Sequence, residues 1–257
     1  MNALEKGETL ESEPVVSCQQ LSEIARGRSR VYTVLSEVLN QMPSLELLRT
    51  FRRAEPLWSA IQGDVGAAAA AVLRQTLSQV PSDDAAGALA PNDLVTGLAV
   101  ERTRFLRGVK PGYGLPPACE SVYRRGLQKA DLEPQEPGRA WVDMLAEYRR
   151  NGFSTPKGLQ PDYIGVEVSF LSFLSHLEAV AWVRDDSSAA LAAAGREADF
   201  LDEHPLSWVN GLVSRVAAEA FSPFWPALLT LLGSHLRMDR DYLGELLGGL
   251  APRRDDA

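Results

Sequence analysis

Apolar residues recur at helical spacing through most of the chain. The first clear example runs from Cys18 to Asn40, and its apolar positions are Leu21, Ile24, Val31, Leu35, Val38 and Leu39. Ser44 is a candidate N-cap for a second helix that ends at Trp58, and Asp64 is a candidate cap for a third. No segment shows the period of two and the hairpin turn residues of a β-sheet protein. The pattern therefore predicts an all-α fold.

The second half of the chain continues this pattern. It predicts helices that start at Asn92, at Pro137, in the segment 187–204, at Leu206, at Phe224 and near Asp239. Caps and breakers together indicate about nine to eleven helices. The helices show no fixed repeat length, so a solenoid is not expected. We predict a single globular helical bundle over residues 17–250, a disordered N-terminal tail over 1–16 and a flexible C-terminal tail over 251–257.

The segment 158–182 is apolar around most of a helical circumference and reads "GLQPDYIGVEVSFLSFLSHLEAVAW". Pro161 suits the first turn of a helix, where its missing N–H is not needed. Asp162 then lies where the free amides and the helix dipole favour a carboxylate. A helix that is apolar all round belongs in the centre of a bundle. If buried, Glu167 needs a partner, and Arg102 or Arg104 is a candidate.

The loop before this helix contains Lys157 and Gly158, so we expect the start of the helix to reach the surface. Asp162 is then predicted to lie at the mouth of an apolar interior. Such a site fits a peptide that has a positive head and an apolar body.

Composition narrows the choice of partners. The net charge of the 257 residues is −8, and no cluster of Lys and Arg follows one face, so we expect no nucleic-acid partner. An acidic surface favours a cationic partner instead. The N-terminus lacks the apolar region of an export signal, and no apolar run long enough to span a membrane is free of charge. We therefore expect a cytoplasmic protein without stable membrane insertion.

The sequence lacks the common catalytic motifs, including GxSxG, the phosphate-binding P-loop, GxGxxG and HExxH. Its three histidines are far apart, and a lone histidine in a helical protein is more often structural. Cys18 and Cys119 form neither a CxxC nor a metal-binding pattern. Cys119 lies in a loop rich in Gly and Pro, where a catalytic thiol is unsupported. We predict that the protein is not an enzyme and binds no metal.

Three segments resemble, in the right order, the TorD/DmsD/NarJ family of redox-enzyme maturation chaperones. They read "LAVERTRFLRGVKPGYGLPPACESVYRRG", "QPDYIGVEVSFLSFL" and "FLDEHPLSWVNGLVSRV". The family motif commonly has an acid before the Pro and a His after the Asp. This chain has Gln160 and Tyr163 near those positions, while Asp162 itself matches.

The resemblance implies an all-α cytoplasmic chaperone that carries no cofactor of its own. Such a chaperone binds the twin-arginine signal peptide, or a body segment, of the catalytic subunit of a molybdenum or tungsten oxidoreductase. It holds this client while the molybdopterin cofactor is inserted and before export. Guanine-nucleotide binding has been linked with the family, but no phosphate loop supports it here.

The resemblance also suggests which residues bind the peptide. Asp162 is the candidate counter-charge for an arginine of the signal peptide, and Pro161 and Tyr163 shape its surroundings. Glu120 and Tyr123 are expected to organise the adjacent loop.

Phe105 is expected in the core or along the groove. For His204 and Trp208, packing between two helices is the favoured interpretation over ligand contact. Two alternatives stay open: a helical module for another apolar peptide or protein partner, which would not prefer paired arginines, and a nucleotide-binding or nucleotide-hydrolysing helical protein, which a turnover assay would reveal.

Overall fold

A computed structural model describes residues 16–60, 63–81, 92–108, 114–124 and 139–250, and within these ranges all the regular secondary structure is helical. The helices are α1 (Cys18–Asn40), α2 (Leu45–Arg53), α3 (Glu55–Trp58), α4 (Asp64–Leu77), α5 (Asn92–Arg102), α6 (Glu120–Tyr123), α7 (Arg139–Asn151), α8 (Ile164–Val183), α9 (Ser187–Glu203), α10 (Pro205–Glu219) and α11 (Phe224–Leu250). A π-helical turn, Thr103–Arg107, follows α5. The described residues form no strand, so the predicted all-α class is confirmed.

Helix α8 lies at the centre of the bundle. It packs against α1, α9 and α10, and α11 packs against α4, α9 and α10. Ile164–Val183 has the length and apolar character of a membrane span, but 67% of the segment is buried inside the protein. Its apolar circumference is therefore explained by the helices that surround it, as expected for a central helix.

Small and polar residues allow α1 to approach α8 closely in an antiparallel arrangement. The Asn40 side-chain amide donates to the Gly165 carbonyl at 3.1 Å and to the Ser169 hydroxyl at 3.0 Å. Farther along, the Ser29 hydroxyl donates to the Ser172 carbonyl at 2.9 Å. A Cβ atom on Gly165 would lie 2.2 Å from Asn40 Oδ1 and 2.9 Å from a ring carbon of Tyr163, so a larger residue would displace these side chains. Glycine at this position thus preserves the Asn40 contact between the two helices.

A buried arginine joins α1 to three other helices. The Arg28 guanidinium donates to the carboxylates of Glu178 on α8, Glu197 on α9 and Asp239 on α11. The Tyr32 hydroxyl also donates to Asp239, at 2.6 Å. One cation faces three carboxylates, and burial raises the pKa of Glu197 well above its usual value even though Arg28 opposes the shift. We call Arg28, Glu178, Glu197 and Asp239 the Arg28 cluster.

Several predicted helix boundaries need correction. The second predicted helix is divided at Ala54 into α2 and α3, although Ser44 does cap α2, with its hydroxyl accepting from the Leu47 amide at 3.1 Å. Asp64 is the first residue of α4 rather than its cap, and Gly63 precedes it with φ of 95°.

The break predicted near Asp239 is absent, since α11 runs unbroken from Phe224 to Leu250. Asp239 is instead an inward-facing residue of the Arg28 cluster. Nearly all of the two predicted tails lies outside the described residues, at 1–15 and 251–257.

Replacing Arg28 by Met should destabilise the protein strongly, because three buried carboxylates would lose the cation that they share. Removing one partner of a buried ion pair typically costs about 3–5 kcal/mol of unfolding free energy. Urea denaturation should show this loss for Arg28→Met. The matched control is Arg30→Met, which changes an exposed arginine on the same helix and should leave the midpoint nearly unchanged. Equal midpoints for the two variants would contradict a stabilising role for the cluster.

Candidate functional site

The segment between the π-helical turn and α6 is held against the start of α8 by backbone hydrogen bonds. The Glu120 amide donates to the Asp162 carbonyl at 2.9 Å, and the Ile164 amide donates to the Ala118 carbonyl at 2.9 Å. On its other side, the Ala118 amide donates to the Leu106 carbonyl at 2.9 Å. These backbone bonds alone join the first motif segment, which contains residues 118–120, to the second, which contains residues 162–164.

The Asp162 carboxylate is fully buried. Its Oδ2 accepts the Ser121 amide hydrogen at 3.1 Å, and its Oδ1 has no hydrogen-bond partner in the described structure. Helix α8 begins only at Ile164, so Asp162 lies in the turn before the helix rather than in its first turn. The expectation of an exposed carboxylate at the mouth of the bundle is therefore wrong. The backbone pairing with residues 118–120 turns this side chain inward, beneath the start of α6.

The third motif segment reaches the same region through His204. Its Nδ1 lies 2.7 Å from Oε2 of Glu120, which is fully buried, and the other Glu120 oxygen accepts from Arg124 at 2.6 Å. The His204 ring also packs on Phe200, with 4.6 Å between ring centroids. His204 thus connects α6 with the junction of α9 and α10.

Trp208, one turn after His204, contacts two further predicted residues. Its indole N–H donates to Oε2 of the buried Glu167 at 3.3 Å, and its ring lies 5.6 Å from the Tyr123 ring. The second Glu167 oxygen and the Tyr123 hydroxyl have no hydrogen-bond partner in the described structure. Glu120, Asp162 and Glu167 form one group of buried carboxylates, which we call the acidic cluster.

The cations predicted to pair with Glu167 lie elsewhere, so this expectation is wrong. Arg102 is buried, and its guanidinium donates to the Leu39 carbonyl at 2.6 Å. The carbonyls at the end of a helix lack partners within it, and Arg102 supplies one for α1. Arg104 points away from the interior, and its guanidinium lies 4.9 Å from the centre of the Phe221 ring. Among the described residues, none of the ion pairs joins a cation to Glu167.

The acidic cluster is electrostatically unfavourable in its charged form. Burial raises the pKa of Glu167 well above its usual value, and the neighbouring Glu120 and Asp162 raise it further. Burial likewise raises the pKa of Tyr148, whose hydroxyl donates to the Pro161 carbonyl at 2.8 Å. Like charges held together in an interior favour proton uptake by at least one member. Glu167 is the member that the structure favours for that proton.

The other predicted binding residues lie inside the protein. The Tyr163 hydroxyl donates to the Leu39 carbonyl at 2.7 Å, and burial raises the pKa of Tyr163 to about 12. Phe105 is a fully buried core residue, and Pro161 is buried as well. These side chains support the site from within and do not line a surface groove.

Cys119 does not have the surroundings of a reactive thiol. Its sulfur lies 3.2 Å from the Gln160 side-chain oxygen, and burial raises the pKa of the thiol well above its usual value. A nucleophilic cysteine requires the opposite shift. Within the described ranges, no group of three His, Cys, Asp or Glu side chains could hold a metal ion.

A polar cavity of about 500 Å³ opens between α7 and α9, directly beside His204. Its lining residues are Asp143, Glu147, Arg150, Asn151, Arg196, Asp199, Phe200, Glu203 and His204. Four carboxylates face two guanidiniums, one of which, Arg150, already binds Glu147 at 2.5 Å. We call this the α7–α9 cavity. Sequence reasoning missed its acids, although Asp143 with Glu147 and Asp199 with Glu203 show the i, i+4 spacing that marks one face of a helix.

The comparison with protein families points to one family. The family model described as nitrate reductase delta subunit matches residues 63–214, more than half of the chain. The match includes the first two motif segments, residues 200–214 of the third and every residue of the acidic cluster. No curated protein was found to match the chain.

Glu167→Gln should change how stability depends on pH. A carboxyl whose pKa is raised in the folded state binds a proton that the unfolded chain releases. The contribution of this proton to the unfolding free energy is fully present below the pKa of the carboxyl in the unfolded chain, about 4.3. It is lost as the pH rises through the higher pKa of the carboxyl in the folded protein. Gln mimics the protonated form. Within this window, the unfolding free energy of the variant should therefore rise relative to that of the wild type by up to about 1.4 kcal/mol per pH unit.

Urea unfolding across this pH range measures the effect. The control is Glu23→Gln, at an exposed position of α1, which should follow the wild-type curve. Parallel curves for the wild type and Glu167→Gln would show that Glu167 does not take up the proton.

Proposed function

Because the chain belongs to the nitrate reductase delta subunit family, the NarJ/TorD type of molybdoenzyme maturation chaperones, we propose that it binds the catalytic subunit of a molybdenum or tungsten oxidoreductase in the cytoplasm. The contact is made through the twin-arginine leader of this client or through another segment. The chaperone then holds the client until the molybdopterin cofactor has been inserted and before export. The cofactor belongs to the client, and the chaperone's contribution is binding.

The observation that carries this proposal is the position of the α7–α9 cavity beside the acidic cluster. A guanidinium prefers carboxylates that can accept two parallel hydrogen bonds. Asp199 and Glu203 are exposed on one face of α9 and offer such acceptors at the surface. Behind them, His204 connects the cavity to the buried Glu120. Arginines of a leader would therefore meet carboxylates directly and experience further negative charge from below.

Asp162 has an indirect role in this proposal. Its carboxylate is buried and accepts the Ser121 amide hydrogen, so it shapes the start of α6 rather than touching the peptide. Its charge still contributes to the potential at the cavity, because interactions through a protein interior are screened less than those through water. Pro161 and Tyr163 hold the same turn through hydrogen bonds to Tyr148 and Leu39.

A fluorescent twin-arginine peptide should bind the protein and should bind less well after the cavity acids are neutralised. We expect the double variant Asp199→Asn/Glu203→Gln to weaken binding about tenfold, which corresponds to about 1.4 kcal/mol. Replacing Arg-Arg by Lys-Lys in the peptide should also weaken binding, since an ammonium cannot form the bidentate contact. Added salt should reduce the affinity, as for any partly exposed charge contact.

The control is a second double variant, Asp241→Asn/Glu245→Gln, which removes the same charge from exposed positions on α11. This control should bind the peptide like the wild type. If both double variants and both peptides show one affinity, the protein does not recognise a twin-arginine leader through this cavity.

Asp162→Asn should have a smaller effect on the same titration. The substitution keeps the shape of the side chain and removes its charge, so only the long-range contribution is lost. We expect a decrease in affinity smaller than that of the Asp199→Asn/Glu203→Gln variant. A larger decrease than in that variant would mean that the peptide reaches Asp162 directly.

A further inference from the structure

Three strongly exposed apolar side chains lie together around Arg104. Met42 and Val100, each 54% exposed, line an apolar groove of about 430 Å³ along α5. Phe221 is 82% exposed, and its ring lies under the Arg104 guanidinium, which lines the same groove. The other lining residues are Val95, Thr96, Ala99 and Thr103. We call the groove together with Phe221 the α5 surface.

Phe221 is held in its exposed position by a buried carboxylate. Glu101 Oε1 accepts the backbone N–H groups of Phe221 at 2.7 Å and of Ser222 at 2.8 Å, and Glu101 Oε2 accepts the Ser222 hydroxyl hydrogen. Glu101 itself is buried. The short connection between α10 and α11 is therefore fixed with its aromatic ring outward. A segment whose backbone is already held by hydrogen bonds loses less conformational freedom on binding, which suits a docking surface.

The neighbouring helix geometry agrees with a functional surface. Thr103 and Arg104 belong to the π-helical turn that follows α5, and such turns frequently occur at functional sites. Because this turn shifts the register of the helix, it decides which side chains meet the groove. The turn is fixed from behind by the Leu115 amide, which donates to the Arg104 carbonyl at 2.8 Å.

The charge at the α5 surface indicates what kind of partner fits. Arg104, which lines the groove, forms no ion pair in the described part of this acidic protein. A cationic leader would bring like charges together. A second copy related by a two-fold axis would bring equivalent arginines together in the same way. An apolar segment flanked by Asp or Glu would fill the groove and also pair with the Arg104 guanidinium.

We propose that the α5 surface binds an apolar segment with acidic flanks in the mature part of the client polypeptide. This inference rests on the proposed function, since the client supplies the segment. It assigns two parts of the client, the leader and a segment of the mature polypeptide, to two different surfaces of the chaperone. The leader binds at the acidic α7–α9 cavity, and the mature segment binds at the α5 surface with its basic rim.

The test compares two fluorescein-labelled peptides that share the core Leu-Leu-Phe. One core is flanked by Glu-Asp pairs and the other by Lys-Arg pairs, and each is titrated into the full-length protein. We expect the acidic-flanked peptide to bind at least about tenfold more tightly. Val100→Asn and Arg104→Gln should each weaken its binding severalfold.

The matched control is Val183→Asn, because Val183 is 56% exposed at the distant end of α8. This variant should bind like the wild type, and circular dichroism should show that all three variants are folded. Tighter binding of the basic-flanked peptide, or equal binding to the wild type and Val100→Asn, would overturn the inference. So would light scattering that shows a dimer which Val100→Asn dissociates, since the α5 surface would then be a self-interface.

The same variants separate this inference from the proposed function. Both Val100→Asn and Arg104→Gln should retain the wild-type affinity for the twin-arginine peptide. Failure of the wild type to bind that peptide contradicts the proposed leader recognition. Insensitivity of the acidic-flanked peptide to Val100→Asn contradicts only the α5 surface.

Discussion

Most of helix α8 is enclosed by its neighbours, so its buried polar groups must find partners inside the protein. Unpaired polar groups in an interior are costly, and unpaired charges more so. Near its end, Glu178 binds Arg28 of α1. Near its start, Glu167 receives one hydrogen bond from Trp208 of α10. The arrangement of the surrounding helices follows largely from these requirements and from the close contact with α1 at Gly165.

The buried carboxylates at the two ends of α8 have different kinds of partner. At the Arg28 cluster, a buried cation lies among three carboxylates, and the result is a cross-link between four helices. At the acidic cluster, the cation that contacts Glu120 is Arg124, whose side chain is 45% exposed. Each cluster sets one arginine against three carboxylates and keeps negative charge, but Arg28 is buried whereas Arg124 reaches solvent, and the acidic cluster lies beside the α7–α9 cavity. Retained charge beside a surface cavity is suited to attracting a cationic ligand, which is why the start of α8 is the better candidate for recognition.

The segment 114–120 connects this end of the bundle to the α5 surface. Leu115 hydrogen-bonds to Arg104 of the π-helical turn, and Glu120 contacts His204 beside the α7–α9 cavity. One short stretch of chain therefore contacts both the basic rim of an apolar groove and the back of an acidic cavity. Two surfaces of opposite charge on one helical scaffold would suit the proposed client, which offers a basic leader and an acidic-flanked body segment.

The sequence alone determined the helical class, the central place of α8, and three segments typical of one chaperone family. These properties are readable because periodicity, caps and motif order are local features of the chain. It did not reveal that Asp162 is buried, that α11 is continuous past Asp239, or that Arg102 binds the end of α1 rather than Glu167. Only the tertiary structure decided these points. The partner of a buried charge depends on which distant residues the packing brings within about 3 Å, and no spacing in the sequence encodes that distance.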